Sequence, residues 1–503
     1  MPMKGFCLVI VVCLTGVLLA TACVAVPLDH SLRSDAWFAS AFDDISPDRM
    51  MADIRELSGE RLRGRQTGSR QDMESAAFVS DRFSALRLHR APASPPDDRT
   101  NPLPQREWKQ IRQVSVTTIQ DDPVLGIDPQ SGDSAARLGT DFLPVFDSPS
   151  ADVEQSVVFV GYGLAADYAG IDVDGKIVFF LRGKPDTFTG SASHGDKERA
   201  AKEHGAIAYL TATGPVLTPY EQRRGVSGKP AAFYSMIEDA HRLPGAWIST
   251  HLAESVVQAG SGGTKSLRGL QEDLNRSGAS LSINLQLKAR LHWTSHVASG
   301  DLYNIASLIR GSSPAADETV LIGAHRDHFG RQGGLLFPGA DDNASGTAVL
   351  LEVARVLALA PSAPKRSVLF VSFSGEEQGL LGSRLYVSQP IVPLGKTIAM
   401  INVDHAGAGN GRLTVGVTDL ENALAVEAGT RSGLSDKVDL FGFFPGGDHV
   451  PFKEAGVPTV TVVSGGVHPN FHQSSDTAEN IEPEKLRAVA RYVLAVIWKL
   501  AYQ

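Results

Sequence analysis

The chain predicts an α/β fold in which a mostly parallel, mixed sheet is flanked by helices and a β-rich unit is inserted. Three observations carry that expectation. From about residue 300, short apolar runs alternate with stretches of helical period, the pattern of buried parallel strands joined by helices. Between about 145 and 290 the texture changes to strands punctuated by glycine turns. No cysteine follows Cys7, Cys13 and Cys23, so the body holds neither a disulfide framework nor a thiolate metal site. Any transition metal there is left to His, Asp and Glu.

Composition bounds the rest. At roughly 100–200 residues per domain, 503 residues imply two or three domains. With 43% hydrophobic and 20% charged residues, disordered, collagen-like and coiled-coil classes are excluded. The 47 basic and 56 acidic residues give a net charge of −9 without a basic cluster, which argues against a nucleic-acid partner.

Taken in order, residues 1–22 read as an export signal: Lys4, then the apolar stretch Gly5–Leu19, then the small residues Ala20-Thr21-Ala22. Cys23 follows at once, so membrane attachment through a lipidated Cys23 stands beside plain secretion. Ala20 occupies the position where lipoprotein signals usually carry Leu. An uncleaved anchor is the third reading, because the apolar run continues through Val26. In each case the body lies outside the cytoplasm: periplasmic, on the cell envelope, or secreted.

Residues 45–144 form a first stretch of the main domain. The spacing of Ile54, Leu57 and Leu62, then a run from Met73 to Leu86, predicts helices between Asp48 and Leu88. Residues 91–107 are rich in proline and polar residues and predict a loop. Within the 145–290 insert, a strand Ile177–Leu181, a helix Lys197–His204 and a strand Ala206–Leu210 are expected. In the 291–503 region the expected strands are Thr319–Ala324, Ser367–Phe373, Ile398–Val403, Leu413–Val417 and Thr459–Val463. Helices are expected over Ala344–Leu359, Leu420–Arg431 and Pro483–Leu500. In sheets of this kind the chemistry gathers beyond the carboxyl ends of the strands.

Five polar segments stand out, four of them just past a predicted strand. In Gly323-Ala324-His325-Arg326-Asp327-His328, residues two apart share a face, so His325 is a candidate ligand and Asp327 its brace. In Pro338-Gly339-Ala340-Asp341-Asp342-Asn343, two adjacent carboxylates sit between glycines ahead of an apolar helix; helix capping by Asp341 or Asn343 is the competing explanation. Glu376 and Glu377 follow the apolar strand directly, as a ligand beside a general base or as acids favoured at a helix start. Asp404 ends the strand before His405, as a ligand or a turn former. Last, His472 and the nearby His468 are each candidate ligands in a polar loop before the final helix.

Together, His325, one of Asp341 and Asp342, Glu377, Asp404 and His472 supply two imidazoles and three carboxylates. One shared carboxylate then gives each of two metals one His, one terminal carboxylate and a bridging oxygen, a donor set suited to zinc. The remaining glutamate is free to act as a base.

The order and wording of these segments resemble the di-zinc aminopeptidase and glutamate carboxypeptidase family, zinc exopeptidases that also include the transferrin receptor. The strings VGYGL, GIDVDGK and GAIAYL resemble the protease-associated domain often inserted in such proteins. The resemblance implies the zinc exopeptidase fold over about 45–503, with 291–503 as its di-zinc peptidase part. It implies two zinc ions: His325 and Asp404 on one, Glu377 and His472 on the other, Asp342 bridging. Glu376 would be the general base, Asp327 the acid orienting His325, and Asp448 a supporting residue. The insert would contribute no ligand.

The expected activity is that of an exported aminopeptidase acting on peptides. The carboxypeptidase branch is the nearest alternative, prompted by Arg326; glutaminyl cyclase and a non-catalytic receptor-like scaffold follow. His405 departs from the Met common after the ligating Asp. Preferred residue and oligomeric state are not legible in the sequence.

Overall fold

The computed structural model describes residues 37–86, 108–120, 122–128, 135–185, 187–223, 225–237, 239–278 and 280–503. The readings of residues 1–23 as an export signal and of 91–107 as a loop lie outside the described residues. Among the described residues, no helix is long and apolar enough to cross a membrane.

The main sheet contains β1 (Trp108–Ile119), β2 (Ser295–Ile309), β3 (Thr319–His325), β4 (Ser367–Phe373), β5 (Thr397–Asp404), β6 (Leu413–Thr418), β7 (Val438–Leu440) and β8 (Thr459–Ser464). Their order is β1-β2-β4-β3-β5-β8-β6-β7. The centre β4-β3-β5-β8 is parallel, while β1, β2 and β6 pair antiparallel towards the edges. The central strands are apolar throughout because both faces are covered. Val320, Ile322, Val368, Phe370, Ile401 and Val403 pack on one side. Leu321, Leu369, Val371 and Met400 pack on the other, as the two-residue alternation of a strand requires. Each such burial is worth about 1.5–3 kcal/mol.

The first side is covered by α1 (Pro47–Leu57), α2 (Arg70–Ala85), α3 (Gly346–Ala358) and α4 (Pro483–Ile497), with the helix Ala423–Ser432 packed beside them. The Ser46 hydroxyl accepts the Arg49 N–H at the start of α1, and Ser69 accepts that of Asp72 at the start of α2. These caps satisfy amides that have no partner inside a helix.

Between β1 and β2 the chain leaves this sheet. Ile119 and Ser295, its exit and return, are paired in register. The intervening residues build a second, seven-stranded sheet that begins at Val124, ahead of the boundary expected at 145, and ends at Trp293. The shift has a physical reason: strands 124–127 and 142–144 belong to this sheet through antiparallel pairing with 283–293 and 245–248, contacts distant in sequence. Its middle strands, 151–159, 177–181, 208–212 and 245–248, run parallel. The helices His194–Glu203, Thr250–Gly260 and Leu267–Ser277 join or follow them, so the unit is α/β rather than purely β-rich.

Candidate metal centre

The parallel strands of the main sheet end side by side, and each end presents part of one polar cluster. His325 closes β3 and pairs in register with Phe373 at the end of β4; Asp404 closes β5 beside Val463 of β8. The loops after β4 and β8 then supply Glu376, Glu377 and His472.

Two tight turns aim the acid pairs. Gly339 adopts a positive φ of 62°, and a Cβ there would fall 2.3 Å from the Asp342 carbonyl oxygen and 2.5 Å from His328 Cγ. Gly375 (φ 79°) precedes Glu376 and Glu377, where a Cβ would meet Leu302 Cδ1 at 2.7 Å and Leu381 Cβ at 2.9 Å. Only glycine fits either position without displacement.

Seven residues expected from the sequence converge. His325 Nε2 lies 3.4 Å from Asp342 Oδ1 and 3.5 Å from Asp404 Oδ1. His472 Nε2 lies 3.1 Å from Asp342 Oδ2 and 3.4 Å from Glu377 Oε2. Asp342 therefore turns one oxygen to each histidine. Glu376 offers an oxygen within 4.8 Å of donor atoms of His325 and Asp404. Asp327 sits beneath the cluster: Oδ1 is 3.6 Å from His325 Nδ1 and accepts the Glu376 N–H at 3.3 Å, while Oδ2 accepts the Glu377 N–H at 3.4 Å and the Thr67 hydroxyl at 2.9 Å.

Helix capping does not explain Asp341 or Asp342. Asn343 performs that task, its Oδ1 accepting the Gly346 N–H at 2.9 Å. Asp341 and Asp342 instead donate their backbone N–H groups to the two oxygens of Asp476 at 2.9 and 3.0 Å.

Electrostatics marks the cluster as a cation site. Against the effect of burial, the carboxylates of Glu376 and Asp404 hold His325 well above its ordinary value. Burial, with Asp448, Asp404 and Asp342 nearby, raises Glu376. Glu377 is raised by burial and by Asp342 and Glu376. Asp448 is fully buried, and burial pushes it up to about 7. So many carboxylates in a dry site need a compensating positive charge. His325 Nε2 and Asp404 Oδ1, both buried, have no hydrogen-bond partner and face each other across the cluster. Two imidazoles and three carboxylates in this disposition fit a pair of divalent zinc-type ions.

Residues 304–497 match the model of peptidase family M28. These residues are a peptidase family M28 domain. All seven residues lie inside it.

The chain is 31% identical over 226 residues to aminopeptidase YwaD of Bacillus subtilis strain 168, covering 43% of this chain and 47% of that protein. It spans about half the length of the curated relatives it matches. Among solved structures, an aminopeptidase from Aneurinibacillus sp. strain AM-1 superposes with a TM-score of 0.66 at 21% identity, over 92% of this chain and 96% of that one. A zinc aminopeptidase from Bacillus subtilis, BSAP, gives a TM-score of 0.61 at 20% identity, over 91% and 96%. These structures share the fold over most of this chain.

Around the cluster stand further residues to which the sequence assigned no role. His328 is buried with Nδ1 2.7 Å from Glu377 Oε1, placing a second imidazole against that carboxylate. Its place in the string after Asp327 was the available signal. Arg65 is wholly buried and donates to the carbonyls of Leu57, Arg326, Pro338 and Gly339, pinning the loop that carries the acid pair. Among the described residues, the second unit supplies no donor to the cluster, but its loop at Ala232 does touch it: His472 Nδ1 donates to the Ala232 carbonyl at 2.7 Å, and the Ala232 N–H donates to the His472 carbonyl at 3.0 Å.

Proposed function

We propose that the protein is an exported zinc exopeptidase, an aminopeptidase that removes amino-terminal residues from peptides. The observation that carries this reading is the meeting of His325, Asp342, Asp404, Glu377 and His472 at neighbouring strand ends, with Asp342 facing both histidines. In it, His325 and Asp404 would hold one zinc, Glu377 and His472 would hold the other, and Asp342 would serve both. The printed descriptions of YwaD and BSAP, an aminopeptidase and a zinc aminopeptidase, support the same reaction class.

When bound, a zinc pair lowers the pKa of water and polarises a carbonyl. The chain's own work is proton handling and orientation. Glu376, kept basic by burial and by surrounding carboxylates, accepts the proton of the attacking water and delivers it to the leaving amine. Asp327 positions this step twice over, bracing His325 from behind and holding the backbone amides of both glutamates. The Ala232 carbonyl plays the corresponding part for His472. The free α-amine of a peptide rests against the carboxylates of the cluster, which favours unblocked amino termini.

Arg326, which prompted the carboxypeptidase alternative, is buried in an ion pair with Asp72. A glutaminyl cyclase reading would need one metal where five donors converge, and a receptor-like scaffold would lack donors that are present here. The sequence of residues 1–23 supports export, with attachment through a lipidated Cys23 as the form that mass spectrometry of the amino terminus distinguishes from secretion.

The test is a panel of amino-acid anilides with free and blocked amines, assayed with and without chelator. Hydrolysis of the free forms that the chelator abolishes and added zinc restores is expected. Equal cleavage of amino-blocked peptides would overturn the aminopeptidase reading.

A further inference from the structure

We propose that Asp341, His405 and His468 form a third metal site beside the pair, one that takes a divalent ion of zinc's ligand preference. These three residues place one donor atom each within 4.8 Å of one another. None is a ligand in the two-ion assignment, and the site stands whether or not the protein is a peptidase.

The hydrogen bonds set the donors free on the correct side. His468 Nε2 lies 2.9 Å from the Ser464 carbonyl oxygen, so that nitrogen carries the hydrogen and donates it. The Nδ1 lone pair is then left facing Asp341 Oδ2 at 2.5 Å. Two lone pairs cannot approach so closely without a proton or a cation between them. Donation of the second ring nitrogen to a backbone carbonyl is the arrangement that orients metal-bound histidines. His472 has the same arrangement, with Ala232 as its acceptor.

Asp341 is likewise fixed: its Oδ1 accepts the Gly407 N–H at 2.7 Å, and its Oδ2 faces the rings of His468 and His405. His405 supplies the third donor. Its Nε2 faces Asp342 Oδ2 at 3.7 Å and Asp404 Oδ1 at 3.8 Å, on the side of the pair. Its Nδ1 is buried, has no hydrogen-bond partner, and points at Asp341 Oδ2 from 3.8 Å. A non-glycine residue at φ 47°, as His405 is, is uncommon and costs free energy. Around a tetrahedral ion with bonds of about 2.0–2.2 Å, donors sit about 3.3 Å apart. The His405–Asp341 separation is 3.8 Å, and the His468–Asp341 contact, at the 2.5 Å of a hydrogen bond, opens to that value when an ion replaces the proton. A small cavity lined by Asp341, His405, His468, Phe471 and Asn480 opens beside these donors. The sequence signal is the pair of histidines, one following Asp404 and one four residues before His472.

The test uses the full chain, dialysed against metal-free buffer after loading with zinc. Elemental analysis is combined with anomalous diffraction at the zinc edge. Three zinc ions per chain are expected, with one peak among Asp341 Oδ2, His405 Nδ1 and His468 Nδ1. His468→Ala and His468→Gln should lose that peak alone and retain two ions. Two ions in the wild type, with no density there, would overturn the proposal and leave His468 and Asp341 as an imidazolium–carboxylate pair. A third peak that survives both substitutions would overturn the ligand assignment. The wild-type map decides the matter even where a variant does not fold. Failure of the two-ion reading would show separately, as missing peaks at His325/Asp404 or Glu377/His472.

Discussion

Arg326 and Asp72 form an ion pair at 2.7 Å in which neither side chain is exposed to solvent. His325 and Asp327, on either side of Arg326, turn to the metal centre, and the alternation of an extended chain sends Arg326 to the opposite face. There it reaches α2, with further hydrogen bonds to Ser75 and to the carbonyls of Ser372 and Phe373. The pair therefore ties β3, the end of β4 and α2 together directly behind the site. Removing one partner from a buried pair leaves an uncompensated charge, at a cost of about 3–5 kcal/mol. Asp72→Ala should lower stability by that amount in denaturant unfolding. A loss below about 1 kcal/mol, the range of exposed pairs, would contradict this account.

Asp342 and His472 test how the two half-sites are joined. Asp342→Ala should reduce zinc at both positions, because its oxygens face His325 and His472 separately. His472→Ala should empty mainly the position it shares with Glu377. Diffraction at the zinc edge on each variant checks this, and full occupancy of both positions in the Asp342 variant would contradict it.

Asp476 lies in the same polar loop as His472, four residues further on. Its carboxylate receives the backbone N–H groups of both Asp341 and Asp342, so it shapes the loop without belonging to the donor set. Outer partners of this kind are worth about 10–100-fold in metal affinity. Asp476→Asn keeps the shape and weakens the acceptance, and zinc competition against a chelator should show a loss in that range. Unchanged affinity would assign Asp476 to the loop's fold alone.

These residues show what a sequence discloses here and what it withholds. Strands β3 to β6 and β8, and helices α3 and α4, were legible because a buried parallel strand is a continuous apolar run and its helix a periodic one. Their ends then located His325, Glu376, Glu377 and Asp404 with little ambiguity. Partners set by distant contacts were not legible. Ile119 pairs with Ser295 across the whole second unit, so the strands before residue 145 take their place from partners far along the chain. Arg326 looked like a clue to substrate and is a core ion pair. Arg65 and His328 act through groups far away in the chain, and neither residue type announces such a role.

Lys197 gives a pH test away from the metal centre. Its Nζ donates to the carbonyls of Leu181 and Gly183, and burial pushes its pKa down to about 7 from 10.5. Between those values the unfolded chain binds a proton that the folded chain has released, so this group makes stability rise with pH across that window. Urea midpoints measured from pH 7 to pH 10 should climb more steeply in the wild type than in Lys197→Met. Parallel slopes would show that Lys197 stays charged when folded.

Glu377 and its neighbour Glu376 share a turn but not a role. Glu377 faces His472 and His328, and a neutral amide in its place is a poor ligand. Glu377→Gln should lose zinc at that position before turnover is considered, and a variant that keeps both ions would contradict the ligand assignment.

The central claim is that Glu376 performs chemistry at a metal pair it does not hold. The most direct measurement is turnover of a free-amine anilide by Glu376→Gln, taken with zinc-edge diffraction on the same protein. Both ions of the pair should remain in place while turnover falls by about 10²–10⁴-fold, the usual worth of a general base. Near-normal turnover with both ions bound would contradict the account.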